Sequence, residues 1–366
     1  MSVQSFDVIP QFRFEGTLLE SIPFGNGHIN DTYRLTFAAG ETSRRYILQR
    51  LNTAIFTKPQ EVMENIEGVT AWLKKKIIAR GGDPSRETLN LIPTVEGNFF
   101  YVDEEGGWWR AFGYIEGAVS YDQVRNDQDF YESAVTFGNF QCLLADYPAA
   151  TLHETIADFH NTADRFAKFQ RAVEADVCGR AASVQPEIRF VQAREAFCSK
   201  LVELQKQGVL PLRVTHNDTK LNNIMIDDTT GRGICVIDLD TVMPGLSVND
   251  FGDSIRFGAS TAAEDETDLE KVSCDLHLFE VYTKGFLEGC GGALTQAELD
   301  ALVDGAKMMT LECGIRFLTD YLEGDHYFKI HREQHNLDRC RTQFKLVADM
   351  EQKENEMRAI VARCLS

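Results

Sequence analysis

The chain has no Cys-x-x-Cys pair among its nine cysteines, which are scattered from Cys142 to Cys364. Neither a zinc ribbon nor a disulfide framework is indicated, and most thiols are expected as small buried apolar groups. There is no His-Glu-x-x-His motif. His331 and His335 are four apart but have no carboxylate run beside them, so no zinc site is expected. No stretch approaches the roughly 18 apolar residues of a membrane span. Met1 to Phe12 has neither the basic cluster nor the apolar core of a signal peptide, so a cytoplasmic protein without membrane partners is expected. Basic residues are in deficit, with 37 Lys and Arg against 56 Asp and Glu, a net charge of −19. The resulting field repels nucleic acid, which is not expected as a partner. Small phosphates stay admissible, because Mg²⁺ and a few local donors can reverse the sign inside one cleft.

What is present is ample material for a core: 366 residues, 43% hydrophobic and 25% charged. At roughly 100–200 residues per domain this predicts two lobes. The first third reads as strands at Glu20–Phe24, Thr32–Phe37, Arg45–Arg50, Phe99–Val102 and Trp108–Tyr114, with one helix from about Pro59 to Lys76. Beyond Gly117 the apolar spacing turns helical, as in Phe130, Ala134, Phe137, Gln141 and Leu144. A second stripe, Phe190 to Leu204, stops at Gly208. Thr295-x-x-Glu298 reads as a capping box, and Asn336 to Ala362 as one closing helix. The fold class is therefore α+β: a five-stranded antiparallel N-terminal lobe with one main helix over residues 1–117, and a larger, mainly helical lobe over residues 118–366.

One strand-turn-strand interrupts the helical part. Asn223–Asp227 and Ile234–Asp238 flank a polar glycine-bearing turn, and directly before them lies Thr215-His216-Asn217-Asp218-Thr219-Lys220-Leu221-Asn222-Asn223. In an antiparallel hairpin, Asn223 and Asp238 should be neighbours at the open end. An amide oxygen and a carboxylate there suit Mg²⁺, a hard cation that keeps part of its shell for water or phosphate oxygens. Asp218 is placed to accept a proton from an attacking hydroxyl, and Lys220 to meet a transferring phosphoryl group. Asp250-Phe251-Gly252 spells a kinase metal motif but follows no hairpin, and Asp250 reads instead as a brace that accepts hydrogen bonds from the His216 loop.

These segments, with Gly25-Asn26-Gly27-His28-Ile29-Asn30-Asp31-Thr32-Tyr33, Tyr46-Ile47-Leu48-Gln49-Arg50 and Ile237-Asp238-Leu239-Asp240-Thr241-Val242-Met243-Pro244-Gly245, resemble the aminoglycoside phosphotransferase and choline kinase superfamily. Within it the chain most closely resembles the N-acetylhexosamine 1-kinases, with a match that runs on to Arg316 and Tyr327. The resemblance implies a protein-kinase-like fold, with ATP as phosphoryl donor and Mg²⁺ as cofactor. It implies Asp218 as catalytic base, assisted by Lys220, and Asn223 and Asp238 as metal ligands. Gly25, Asn26 and Gly27 would cover the phosphates, adenine would lie against the backbone from Phe112 through Tyr114 to Glu116, and the sugar would be bounded by His28, Asp218, Phe257, Arg316 and Tyr327. The third strand lacks the usual kinase lysine. Gln49 or Arg50 stands there, and Arg50 with Glu64 as its helix partner could serve as the phosphate clamp if strand alternation points it inward.

The implied reaction is phosphorylation of the anomeric hydroxyl of GlcNAc or GalNAc. A choline, ethanolamine or aminoglycoside kinase is the alternative, favoured by the acidic balance and opposed by Arg316, which penalises an ammonium group. A nucleotide-binding pseudokinase, suggested by the missing lysine, conflicts with Asp218, Asn223 and Asp238 all being present.

Overall fold

A computed structural model describes residues 7–25 and 29–366. The chain divides into two compact units. The first runs up to Val119 and includes Ala150–Ile156 and Met225–Met243, and the second comprises Ser120–Ala149, Ala157–Ile224 and Pro244–Ser366. Neither unit is contiguous in sequence.

The first unit is built on a five-stranded antiparallel sheet, ordered β1-β2-β3-β5-β4. Its strands are β1 (Thr17–Pro23), β2 (Asp31–Ala39), β3 (Thr42–Arg50), β4 (Tyr101–Val102) and β5 (Trp108–Gly113). Ala39 pairs with Thr42, so β2 and β3 are joined by the two residues Gly40-Glu41, and Gly40 supplies the positive φ (65°) that such a turn needs at its first position. Alternate residues of three strands, Leu35 and Phe37, Tyr46 and Leu48, Trp109 and Ala111, form one buried face. Helix α1 (Pro59–Ala79) starts with proline in its first turn and buries Val62, Ile66, Val69, Leu73 and Ile77, a stripe of helical spacing. A short helix α2 (Pro84–Glu87) follows. A small three-stranded sheet holds β6 (Ala118–Val119), β8 (Ile224–Asp227) and β9 (Gly233–Val236), in the order β6-β8-β9.

The second unit contains α3 (Asp127–Leu143), α4 (Thr162–Ala175), α5 (Gln185–Gln192), α6 (Glu195–Lys206), β7 (Arg213–Thr215), α7 (Ser247–Gly258), α8 (Leu276–Cys290), α9 (Gln296–Glu323), α10 (His335–Gln352) and α11 (Glu354–Cys364). A short strand β10 (Met243–Gly245) pairs with β7. The long helices pack closely because small residues face each other. A Cβ on Gly252 of α7 would fall 2.3 Å from the Gly305 carbonyl of α9, and one on Gly305 would fall 2.2 Å from the Val248 carbonyl. Helix α9 opens with the expected capping box, in which Thr295 and Glu298 exchange backbone hydrogen bonds. No helix among the described residues is long and apolar enough to cross a membrane.

The α+β architecture agrees with the sequence reading, and three details differ. The stripe from Phe190 to Leu204 forms two helices, α5 and α6, because Arg194 turns back: its guanidinium donates to the Phe190 carbonyl (2.8 Å) and pairs with Glu351 (2.6 Å). The expected closing helix also breaks in two at Lys353, whose ammonium is drawn to Ser273 Oγ, the Cys274 carbonyl and Asp349, all within 2.9 Å. The second strand of the hairpin ends at Val236, and Asp238 lies beyond it in a left-handed conformation (φ 57°).

Candidate active site

The loop after β7 is held from below by α7. Asp250 is 1% exposed, yet both its carboxylate oxygens have donors. Oδ2 accepts the His216 N–H (2.9 Å) and the Gln141 amide (2.6 Å), and Oδ1 accepts the Asn217 N–H (2.8 Å). One helical turn on, Asp253 accepts the Thr219 N–H (3.1 Å) and Ser254 donates to the Thr219 carbonyl (2.7 Å). Asn217 takes a left-handed conformation (φ 66°), which asparagine tolerates better than most residues. Asp250 is thus the brace that the sequence suggests. Burial pushes its carboxyl up, against the pull of His216 and these donors.

This frame leaves Asp218 projecting with part of its side chain in solvent. Lys220 Nζ lies 2.9 Å from Oδ1, and the Asn223 amide donates to Oδ2 (3.1 Å) and to the Asp218 carbonyl (2.8 Å). Burial works against the Lys220 charge, but Asp218 and Asp253 outweigh it and hold the ammonium above its ordinary range. Of the four residues expected here, Asp218, Lys220 and Asn223 are therefore brought together. With its amide nitrogen directed at Asp218, Asn223 has its carbonyl oxygen left for a hard cation.

His160 was not visible as a site residue in the sequence. Its Nδ1 lies 2.8 Å from Glu312 of α9, and its Nε2 lies 3.2 Å from the Asn217 carbonyl, one residue before Asp218. Both neighbours accept only, so both ring nitrogens donate when both bonds form, and the ring is then an imidazolium. Burial opposes that charge, but Glu312 prevails and raises the His160 pKa. Thr162 donates to the second Glu312 oxygen (2.6 Å).

Arg316 and Tyr327, expected at the acceptor, do meet. Arg316 Nη2 is 3.3 Å from the Tyr327 hydroxyl, and its guanidinium stands 5.3–5.6 Å from the ring centres of Phe159, Tyr327 and Phe328. Neither Glu312 nor Asp320 pairs with it, since Glu312 is held by His160 and Thr162, and Asp320 accepts the backbone N–H groups of His326, Tyr327 and Phe328. Phe257 sits in the last turn of α7 and makes no ring contact with this cluster among the described residues.

In the sheet unit, Gly25 has a positive φ of 81°, while Asn26, Gly27 and His28 lie outside the described residues. Phe112 is buried on β5, and Tyr114 is flanked by Phe24 and Arg45. The expected Arg50–Glu64 clamp is not formed. Arg50 lies over the Trp109 ring (5.9 Å), whereas Glu64 is held by Gln60 (2.9 Å) and His153 (2.7 Å). The buried cation comes instead from the neighbouring strand, where Arg110 pairs in register with Gln49. Arg110 donates to Gln49 Oε1 (3.0 Å) and lies 2.5 Å from Asp240, which also accepts from Asn30 (2.7 Å). Gln49 in turn donates to Thr32 (3.0 Å). A charged residue in the apolar run Trp108-Trp109-Arg110-Ala111-Phe112 was the sequence signal for this cluster. Among the described residues no group of three or more His, Cys, Asp and Glu side chains is arranged to hold a metal.

Comparison with solved structures places the fold among protein-kinase-like phosphotransferases. An aminoglycoside phosphotransferase from Alicyclobacillus acidocaldarius superposes with a TM-score of 0.58 at 11% identity, covering 96% of this chain and 93% of its own. A choline kinase from Cryptosporidium parvum gives 0.54 at 12% identity, covering 95% and 93%. A spectinomycin phosphotransferase solved with ADP and spectinomycin gives 0.51 at 12% identity, covering 92% and 93%. At these identities the likeness speaks for the fold, and the sequence family carries the identity: over residues 20–273, the chain belongs to the phosphotransferase enzyme family.

Proposed function

We propose that the chain is a cytoplasmic kinase that transfers the γ-phosphoryl group of ATP to the anomeric hydroxyl of an N-acetylhexosamine, with Asp218 as base. The observation that carries this reading is the Asp218 carboxylate, set between Lys220 and Asn223 on a loop whose backbone is fixed by Asp250 and Asp253. Phosphoryl transfer needs little beyond positioning and charge neutralisation, and such a loop supplies both. Asp218 orients the acceptor hydroxyl for in-line attack and takes its proton as the new P–O bond forms. Lys220 faces the charge developing on the transferring group. Residues 1–117 serve as the nucleotide lobe, with Gly25, Asn26 and Gly27 over the phosphates and Phe112 and Tyr114 beside adenine, and residues 118–366 as the catalytic and sugar-binding lobe. Nucleotide use is in keeping with the ADP-bound spectinomycin relative.

Asn223 and Asp238 are the proposed magnesium ligands, since both offer the hard oxygen donors this cation takes. When bound, the ion neutralises phosphate charge. Arg316 with Tyr327 bounds the sugar, joined in this proposal by Phe257 and His28. Hydroxyl and acetamido oxygens can accept hydrogen bonds from a guanidinium, whereas an ammonium group cannot.

The net charge of −19 favours a second reading, an amine-bearing acceptor of the choline, ethanolamine or aminoglycoside type. ADP release with Mg-ATP and an acceptor panel separates the two, and phosphorus NMR of the product identifies an anomeric phosphate. Choline or an aminoglycoside turned over in preference to GlcNAc and GalNAc would end the sugar reading. Asp218→Asn should lower turnover by about 10²–10⁴-fold with little change in the KM for ATP.

A further inference from the structure

Helices α4 and α9 border a solvent-open cavity of about 450 Å³ whose walls carry Arg165, Lys168 and Arg171 from α4 and Arg316 from α9. Four cations around one cavity are unexpected in a chain with nineteen more acidic than basic residues, where a cation generally finds a carboxylate. Lys168 does so, lying 2.5 Å from Asp164. Among the described residues, Arg165, Arg171 and Arg316 form no ion pair. Arg165 donates through Nη2 to the Phe159 carbonyl (3.0 Å), but its Nε is buried with no hydrogen-bond partner. Burial, and then the like charge of Arg316, hold the Arg165 guanidinium below its ordinary range, as befits a cation lacking its counter-charge.

Two acids also line the cavity. Asp320 has both oxygens occupied by the His326, Tyr327 and Phe328 N–H groups and the Asn336 amide, and Glu323 is exposed. The rest of the wall is largely apolar, including Ala172, Ala175, Ile315 and Phe328. We propose that this cavity is a binding site for an anionic small molecule, a phosphate or carboxylate carried on a ring-sized body, with Arg165 and Arg171 holding the anion. Arginine suits the task because its planar fork pairs with two oxygens at once. The site reaches the catalytic loop through α9: Arg316 stands one helical turn from Glu312, which holds His160 against the Asn217 carbonyl. Arg316 and Tyr327, proposed above to bound the sugar, also line this cavity, so it adjoins the acceptor pocket, but the inference does not depend on which hydroxyl is phosphorylated.

Calorimetric titration of the full chain with glucose 6-phosphate, at fixed ionic strength and against glucose as the neutral control, tests it. Saturable binding of the phosphate alone is expected, weakened about tenfold or more in Arg171→Gln and Arg165→Gln and only partly restored in Arg171→Lys, which keeps the charge but not the fork. Arg171 is exposed, so its variants guard against loss through misfolding. Equal affinity for glucose, no saturable binding of glucose 6-phosphate, or unchanged binding in both glutamine variants would overturn the proposal. ADP release on a neutral acceptor, unchanged in Arg171→Gln, keeps this result separate from the kinase reading. ADP release with glucose 6-phosphate as sole acceptor would place the anion on the acceptor. Binding without turnover would make it a separate ligand.

Discussion

Asp250 in the helical unit and Asp240 in the sheet unit are both nearly fully buried carboxylates, 1% and 4% exposed, but they are neutralised in different ways. Asp250 receives two backbone N–H groups and one side-chain amide, all neutral donors. Asp240 receives a buried arginine, with Asn30 as a second partner. The first arrangement fixes a stretch of main chain, because the donors belong to His216 and Asn217 themselves. The second cross-links side chains from β3, β5 and the residues after β9. Loss of a donor partner should therefore be felt in stability at Asp240 and in catalysis at Asp250.

The largest effect expected from this contrast is at Arg110. Arg110→Met strands Asp240 as an unpaired buried charge and should cost about 3–5 kcal/mol, read as a fall in the urea midpoint. Replacing both partners, Arg110→Met with Asp240→Leu, should recover more than half of that loss, since two apolar groups leave no orphaned charge. A double variant no more stable than the single one would mean that Gln49 and Asn30, not the charge pair, carry the cluster. Next comes Asp250→Asn. Its amide turns a donor toward a donor at one of the two N–H groups, and about 1–3 kcal/mol should be lost. Here turnover should fall while the KM for nucleotide holds, because the loop that presents Asp218 shifts. Turnover unchanged beside a lowered midpoint would show that the loop does not need the brace.

The same contrast explains what could be read from the sequence. The His216–Asn223 loop was legible because its residues are close together in sequence, and its brace Asp250 lies on the nearby helix α7. The strands of the sheet were legible as short segments rich in β-branched and aromatic residues between turn residues, and Leu35 and Phe37 of one such segment lie on its buried face. That the buried cation would be Arg110 of β5, and not Arg50 of β3, was not, because strand pairing decides it: β3 lies beside β5, and register sets Arg110 opposite Gln49. His160 was hidden for a similar reason, since its two partners lie 57 and 152 residues away. The two helix breaks were lost because their cause is tertiary. Arg194 and Lys353 are good helix formers that are pulled out of line by Glu351 and by the Ser273 hydroxyl and Cys274 carbonyl.

The smallest effect expected lies at His160, and it separates the two kinds of brace by pH. This ring joins a charged acid to a main-chain carbonyl, so it combines the Asp240 and the Asp250 modes in one residue. Burial disfavours its charge, yet Glu312 raises its pKa above the ordinary histidine value. A base held more tightly protonated in the folded state adds stability that is complete below the unfolded pKa, about 6.5, and is lost as pH rises through the folded value. Glu312 shifts the opposite way: burial opposes its charge, but His160 lowers its pKa, so its share is present above the unfolded carboxylate value and fades toward acid. The tie is therefore strongest in mildly acidic to neutral solution. His160→Gln keeps a side chain able to hydrogen bond but removes the charge. Its stability deficit should be widest near pH 6 and should narrow steadily toward pH 9, as followed by urea unfolding across that range. A deficit that stays flat with pH would mean that the ring works as a neutral hydrogen-bonding spacer and that the loop is braced by Asp250 and Asp253 alone.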